Sequence, residues 1–412
     1  MRALLGKHSI AKALVLLGVL ASLFSFAKFD HCRNTNWGSP DSYVHACYSD
    51  IPVLFTDRSM NIHQWAYKGG EKAVEYPVIT GAVMWVTSLL SSSGPGSSRN
   101  YFDVNAILIA LLFIGSLLVM SKISPQYGYL LALSPAVLAS LYINWDMWGI
   151  ITMLLAIYSF DRERFTWSAV LFGISIATKF FPVFLFLPII LIFWRRNEIR
   201  SLLKFMATAG AVWLAVNLPV ILTTPEGWWH FYKLNVDRGP DWGSLWYGLS
   251  LLGVNVGHLN YISILALLTV LTAITLLLLE IPYPPPLAQI SFIVLAAILC
   301  VGKVYSPQYV LWLAPLAIIA LRGKSQLASF WIWQAGEAIY HVAIWQHLAS
   351  VQGSHFGLPD TGYALASLLR ILTTVFFIGT LVQGLLKNPT SQAQASRSRL
   401  ADFLFGSSTS YP

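Results

Sequence analysis

The stretch LNYISILALLTVLTAITLLLLEI, residues 259–281, contains a single charged residue, Glu280. A helix that crosses the hydrocarbon core of a bilayer needs about 20 mainly apolar residues, so this stretch predicts a membrane-spanning helix. Further apolar runs lie near residues 9–28, 77–91, 102–121, 127–144, 147–160, 166–178, 180–194, 201–223, 286–302, 309–321, 327–347 and 362–386. We therefore predict an all-α, polytopic transmembrane bundle of about 11–13 membrane segments, forming one domain over residues 1–386.

The composition excludes an ordinary soluble protein. The 412 residues are 56% hydrophobic and 11% charged, with a mean hydropathy of +0.63, whereas soluble domains carry about 25% charged residues. The net charge of +8 would suggest a nucleic-acid partner in a soluble protein. Here the Lys and Arg residues cluster in short loops, as the positive-inside rule requires, so we predict membrane lipids and no nucleic acid as partners. No zinc-type spacing or glycine-rich phosphate loop occurs.

The polar segments between the runs predict which face of the membrane each loop occupies. Basic segments indicate the cytoplasmic face, and the Ser-rich tail at 387–412 is predicted to be cytoplasmic and disordered. The basic segments are the amino terminus and residues 161–164, 194–200 and 321–324. The opposite, outer face then holds residues 29–76, 177–182, 224–257, 302–309 and 348–361, and we expect the functional surface there.

Two features of the topology stay open. Residues 1–27 have the pattern of a signal peptide, although the many later spans favour a retained first helix. Several runs are short, so at least one is expected to be a partial or re-entrant pass. The orientation of 77–144 is the least constrained by this reasoning.

The first outer loop, residues 29–76, contains a cysteine pair and a carboxylate next to an apolar patch. Cys32 and Cys47 would form a disulfide if the loop faces an oxidising compartment, but the spacing alone leaves this undecided. The patch at 51–55 is expected to lie along the membrane surface, with Asp50 near the headgroups. Partial desolvation would raise the proton affinity of Asp50 and suit it to accept a proton from a hydroxyl group. Alternatively, Asp50 caps a short helix.

Five short motifs follow one another along the chain: CYSDIP (47–52), VEYPVITG (74–81), NWD (144–146), ATKFFP (177–182) and VYSPQYVLW (304–312). Together they resemble family 87 glycosyltransferases, actinobacterial-type membrane enzymes of the GT-C class. The resemblance covers residues from about 10 to about 385. The family includes mannosyltransferases that use polyprenyl-phosphate mannose.

The resemblance implies an inverting transfer of a sugar, with mannose as the expected one, from a polyprenyl-phosphate donor to an envelope glycolipid or polysaccharide acceptor. The site would face the outer side of the plasma membrane, and Asp50 matches the position of the family's catalytic base. The two-acid Asp-x-Asp form of some relatives is absent, since Asp57 follows seven residues later. No metal ligand or cofactor is assigned, and the use of a divalent metal stays open.

A phosphate leaving group departs as an anion and needs cations rather than an acid. Lys179 and Lys303 lie on the same predicted face and are candidates for this role, although each could instead be a snorkelling lysine that marks a helix end. The other predicted substrate-binding residues are Glu75, Tyr76, Asp57, Asp146, Tyr305 and Gln308. The alternative function is a glycolipid transporter or flippase, which would place charges near the bilayer midplane and repeat a pattern of broken helices.

Overall fold

The computed structural model describes residues 7–92, 94–281 and 284–387. This part of the chain is helical and contains no β-strand, so the predicted all-α class is confirmed. Its α-helices are α1 (Lys7–Ala27), α2 (Asp30–Thr35), α3 (Asp41–Val44), α4 (Asp50–Asp57), α5 (Val78–Ser88), α6 (Ser97–Ile123), α7 (Pro135–Ser140), α8 (Asp146–Phe160), α9 (Phe165–Thr178), α10 (Phe186–Arg195), α11 (Ile199–Thr223), α12 (Pro225–Asp237), α13 (Leu245–Leu251), α14 (Leu259–Glu280), α15 (Leu287–Val301), α16 (Val310–Ala320), α17 (Lys324–Val351) and α18 (Asp360–Lys387). Apart from Lys387, the predicted tail lies outside the described residues.

Five helices of this part are long and apolar enough to cross a membrane: α1, α6, α11, α14 and α18. Their outward side chains stay uncovered, as Leu265 of α14 and Leu222 of α11 show with 65% and 73% exposure. Such helices satisfy their own backbone hydrogen bonds and present apolar side chains to lipid. This is the architecture of a multi-pass membrane protein. Six further apolar helical segments are shorter than these five.

The centre of the bundle is formed by two short helices rather than by the long ones. Every residue of α16 is buried, and most of α15, which packs beside it, is buried as well. At a rise of 1.5 Å per residue, α16 is only about 16 Å long, half the thickness of the hydrocarbon core. These two short runs therefore form interior helices, and the polar residues 302–309 between them lie inside the bundle.

The apolar run at 127–144 does not form one helix. It folds as a 3₁₀ helix over Gly128–Leu133, followed by the short α7. At Gly128 the chain passes against α6, where an added Cβ would lie 2.8 Å from the Met120 carbonyl oxygen. Pro135 then begins α7 and cannot donate a backbone hydrogen bond to the preceding turn. The segment is irregular because these two residues interrupt it, while most of its apolar side chains remain buried.

The first outer loop is a compact unit held by a disulfide. Cys32 and Cys47 are bonded, with their Cα atoms 5.8 Å apart, so the pairing left open by the sequence is present in the structure. Helices α2, α3 and α4 follow one another within this loop. The disulfide joins α2 to the segment that leads directly into α4, and it therefore fixes where α4 begins.

The apolar patch at 51–55 does not lie along the membrane surface, which corrects the expectation from sequence. Ile51 and Phe55 are 0% and 1% exposed, and the Phe55 ring stacks on Tyr101 of α6 with centroids 4.3 Å apart. The patch is buried because α4 packs against α6, a nearer apolar surface than the bilayer. One turn of α4 thus anchors the loop in the protein core and points the start of the helix toward the interior.

Candidate active site

A cavity of about 760 Å³ lies where several helices of the bundle begin or end. Its wall combines the start of α4, the segments that precede α5 and α8, the segment that follows α9, the second half of α12 with the segment after it, residues 302–309 and part of α17. Cavities of this size accommodate drug-sized ligands. Most of the polar residues predicted from the motifs line this cavity.

Asp50 lines the cavity and is free to act on a ligand because its neighbour caps the helix. The Ser49 Oγ accepts a hydrogen bond from the Ile51 N–H at 3.2 Å and donates one to the Tyr142 carbonyl at 2.7 Å. The backbone N–H of Asp50 donates to the Ile143 carbonyl at 2.8 Å. The capping role considered for Asp50 therefore belongs to Ser49, and the half-buried Asp50 carboxylate points into the cavity.

The surroundings of Asp50 raise the pKa of its carboxyl group to about 6. Burial is the largest cause, because it disfavours the charged form, and the charge of Glu75 acts in the same direction. The Tyr48 hydroxyl, the Lys179 charge and the Asn144 amide stabilise the carboxylate and lower the pKa. The group is thus mostly ionised at neutral pH while being a stronger base than an exposed aspartate, as a general base requires.

Lys179 lies close to Asp50, and one asparagine bridges them. The Asn144 Nδ2 donates to Asp50 Oδ2 at 3.5 Å, and the Lys179 Nζ donates to Asn144 Oδ1 at 3.3 Å. Lys179 directly follows α9, which ends four residues before Pro182, and its backbone is extended. Its side chain is buried, unlike a snorkelling lysine. A carboxylate and an ammonium group therefore share one wall of the cavity.

Asp146 holds Lys179 from behind the wall. Its Oδ1 lies 3.1 Å from Lys179 Nζ and accepts a hydrogen bond of 2.8 Å from Trp312 Nε1. Its Oδ2 has no hydrogen-bond partner among the described residues. Asp146 is fully buried and is not among the described residues that line the cavity. Its geometry fits the positioning of Lys179 rather than contact with a ligand.

Glu75 and Tyr76 both line the cavity, and each contacts a different cation. The Tyr76 ring covers Lys179, whose Nζ lies 4.1 Å from the ring centroid. The Glu75 Oε2 accepts a hydrogen bond of 2.7 Å from Arg58 Nε, and both side chains are partly exposed. Arg58 therefore orients Glu75, whose remaining oxygen is available at the cavity surface.

Two groups of aromatic rings form apolar walls. Tyr309 stacks on Trp312 with centroids 3.7 Å apart, and Trp312 stacks on Phe181 at 4.4 Å. On another side, Tyr48 packs against Tyr43 and Trp345 at 5.3 and 5.4 Å. All of these residues line the cavity. Flat aromatic faces suit a sugar ring or an isoprenoid chain.

Lys303 and Gln308 both line the cavity, but they differ in their hydrogen bonds to the rest of the protein. The Lys303 ammonium donates to the Val236 and Arg238 carbonyls, and to Asn260 Oδ1 at 3.0 Å. Lys303, predicted to bind phosphate, thus ties residues 302–309 to the end of α12 and to α14. The Gln308 side chain makes no hydrogen bond to another residue of the described part, so its amide is available to a ligand.

Tyr305 is turned away from the cavity into a buried ionic network. Its hydroxyl donates to Glu337 Oε1 at 2.9 Å, and it is not among the described lining residues. Arg370 donates to Glu337 Oε2 at 2.9 Å and also to the carbonyls of Tyr305 and Ser306. Both ions of the pair are buried. The network holds the backbone at 305–306, and so it shapes the cavity wall without touching a ligand.

His341 lies one turn beyond Glu337 on α17 but has separate partners. Its Nε2 lies 2.9 Å from Lys28 Nζ and accepts a hydrogen bond from Trp345 Nε1 at 3.1 Å. Its Nδ1 lies 3.3 Å from Ser140 Oγ. Glu337 and His341 therefore belong to two separate structural networks.

Asp57 is the one predicted site acid that is exposed on the surface. Arg238, in contrast, lines the cavity but was not predicted from the sequence. Asp57, at the last turn of α4, is exposed and is not among the described lining residues. Arg238 does line the cavity, with its Nε 3.1 Å from Asp241 Oδ2. In the sequence, Arg238 lies between two acids in the outer segment at 224–257, but that segment has no periodicity that would show which way a side chain points.

Comparisons with known proteins do not assign this chain to a family. No family model and no curated protein matches the chain. Among solved structures, the chain is similar to a crystal structure of ArnT from Cupriavidus metallidurans bound to undecaprenyl phosphate. The sequence identity is 14% and the TM-score is 0.46, with coverage of 91% of this chain and 77% of ArnT. Similarity of this degree assigns no activity.

Proposed function

We propose that this protein is a membrane glycosyltransferase that moves a sugar from a polyprenyl-phosphate donor to an acceptor hydroxyl with inversion. The observation that carries the proposal is the Asp50–Asn144–Lys179 arrangement at one wall of the cavity. It brings a carboxylate of raised pKa next to a buried cation. Attack by a hydroxyl requires a base, and departure of a phosphate requires a cation.

The proposed step uses each group once. The Asp50 carboxylate takes the proton of the acceptor hydroxyl while the hydroxyl oxygen forms a bond to the anomeric carbon. On the opposite side of that carbon, the bond to the phosphate oxygen breaks, and polyprenyl phosphate leaves with the electron pair. Lys179 neutralises the charge that develops on the phosphate, and Asp146 keeps Lys179 in place.

The resemblance of the motifs supports mannose as the sugar and an envelope glycolipid or polysaccharide as the acceptor. The Cys32–Cys47 disulfide supports an outer location of the loop, because disulfides persist in oxidising compartments. We therefore propose that the cavity faces the outer side of the plasma membrane. The apolar aromatic walls would receive the lipid-linked donor from the outer leaflet.

The test is a transfer assay with purified protein in lipid nanodiscs, labelled polyprenyl-phosphate mannose and extracted envelope glycolipids. Asp50→Asn should lower transfer by about 10²–10⁴-fold, the usual contribution of a general base, while donor binding is retained. Asp57→Asn is the matched control, because it removes an acid from the same helix that lies away from the cavity. It should transfer at the wild-type rate.

Two results would overturn the proposal. Wild-type transfer by Asp50→Asn would remove the role of the carboxylate. If the label never reaches an acceptor but the labelled lipid crosses the bilayer of proteoliposomes, the protein is the glycolipid transporter that was the alternative from sequence. A donor panel with other sugars in the same assay decides whether mannose is the preferred one.

A further inference from the structure

The first outer loop carries a second cluster of side chains, apart from the cavity. His31 Nε2 lies 2.7 Å from Asp41 Oδ2, and His45 Nδ1 lies 3.1 Å from Asp41 Oδ1. The two imidazole rings are stacked with centroids 3.6 Å apart. Both histidines thus converge on one carboxylate, and the three are not among the described residues that line the cavity.

The disulfide holds these three residues together. His31 directly precedes Cys32, and His45 lies two residues before Cys47, so the covalent link between the cysteines brings the histidines side by side. Asp41 begins α3, within the loop that the disulfide closes. Convergence of the three side chains is therefore a property of the cross-linked loop rather than of three mobile surface groups.

The distances suit a tetrahedral metal centre. Zn²⁺ binds imidazole nitrogen and carboxylate oxygen at about 2.0–2.2 Å, which places neighbouring ligand atoms about 3.3 Å apart. The three candidate ligand atoms of the cluster all lie within 4.8 Å of one another. Side-chain rotation alone would therefore bring the three ligand atoms to the spacing that an ion requires.

We propose that His31, Asp41 and His45 form a surface site for a divalent transition-metal cation of the Zn²⁺ class. Two imidazoles favour such an ion over Mg²⁺ or Ca²⁺, which prefer oxygen ligands. The side chains are 41%, 40% and 45% exposed, so one coordination position is open to water. The Thr35 hydroxyl, which donates to Asp41 Oδ2 at 3.0 Å, orients the carboxylate as an outer partner.

The site would act on the loop rather than on substrate. A bound ion joins α2 to α3 by a second link beside the disulfide. Tyr43, on α3 between Asp41 and His45, lines the cavity, so the ion would hold one aromatic wall in place. This proposal is independent of the proposed function, because it concerns binding of an ion at the surface and would stand whichever reaction the cavity supports.

The test measures Zn²⁺ binding to the full chain, purified with a tag that contains no histidine. Isothermal titration of the wild type should show one tight site, and His31→Ala/His45→Ala should weaken it by at least about tenfold, since loss of even an outer partner costs that much. The control is His258→Ala/His355→Ala, which removes two exposed histidines from other loops. It should leave the affinity unchanged.

A second measurement needs no variant. Carbethoxylation of histidines in the wild type, followed by peptide mass spectrometry, should show Zn²⁺ protecting His31 and His45 but not His258. Equal Zn²⁺ affinity in the wild type and the His31→Ala/His45→Ala variant would overturn the proposal, as would equal labelling of His31 and His45 with and without the ion. Co²⁺ substitution with an absorption spectrum of tetrahedral type would support it further.

Discussion

Lys179 Nζ lies 3.1 Å from Asp146 Oδ1, and the two side chains are 6% and 0% exposed. The pair is asymmetric in its access to the cavity, because Lys179 lines it whereas Asp146 is not among the described lining residues. A buried ammonium group without a counter-ion would be costly, so Asp146 allows a cation to be kept beside the Asp50 carboxylate.

The first prediction follows from this pair. Asp146→Asn removes the counter-ion and leaves the buried charge of Lys179 uncompensated, which should lower the free energy of unfolding by about 3–5 kcal/mol. Asp57→Asn, at an exposed acid, should change it by less than about 0.5 kcal/mol. Denaturant unfolding in detergent, followed by tryptophan fluorescence, measures both variants. Equal stabilities of the two would show that Asp146 does not compensate Lys179.

The second prediction concerns pH. The proposed base acts only when deprotonated, so kcat/KM should fall as the pH drops through the Asp50 pKa of about 6 and should be level above it. The charge of Glu75 raises that pKa, so Glu75→Gln should move the midpoint to lower pH. Rate profiles from pH 4.5 to 8 check this, and a midpoint that moves upward contradicts it.

The third prediction separates stability from cavity shape in the Glu337–Arg370 network. Arg370→Met leaves a buried carboxylate and should destabilise the protein by about 3–5 kcal/mol. Glu337→Leu/Arg370→Met should be more stable than that single variant, since both charges are gone. Transfer activity should stay low in both, because neither retains the hydrogen bonds that Arg370 donates to the carbonyls of Tyr305 and Ser306.

Unfolding and transfer assays on these two variants check the third prediction together. Recovery of activity along with stability in the double variant would show that the hydrogen bonds to residues 305–306 do not shape the site. A double variant less stable than Arg370→Met would instead mean that the ion pair contributes more than its desolvation costs.

The fourth prediction tests a close backbone approach. Gly243 has φ of +77°, and a Cβ there would collide with the Tyr305 carbonyl oxygen and the Tyr340 hydroxyl. Gly243→Ala should therefore displace the segment at 302–309 and reduce both stability and transfer. Gly239→Ala is the control from the same loop, because an added Cβ there meets no atom within 4 Å. Indistinguishable behaviour of the two variants would contradict this packing.

The helices were largely predictable because apolar runs such as 259–281 have one physical explanation at this length. The run at 127–144 was not, since Gly128 and Pro135 act through local geometry that hydropathy does not register. The placement of Ile51 and Phe55 was missed for another reason. An apolar patch has the same sequence whether it packs on lipid or on α6. Only the tertiary contact with Tyr101 shows that it packs on α6.

The candidate site was predictable only in part. The motifs pointed to Asp50, Lys179, Glu75 and Tyr76, which line the cavity. They could not show that Tyr305 turns inward or that Lys303 is held by backbone carbonyls, because both outcomes depend on partners far away in sequence. The His31, Asp41 and His45 cluster has no recognisable zinc spacing, since a disulfide rather than a helix brings its members together.

The cavity draws its wall from segments that lie far apart along the chain, from Asp50 near the beginning to Trp345 near the end. During synthesis on the ribosome, the carboxylate emerges early and the rings of α16 and α17 emerge late. A nascent chain therefore carries its reactive group without an enclosed chamber, and the chamber closes only when the last third of the polypeptide has been inserted.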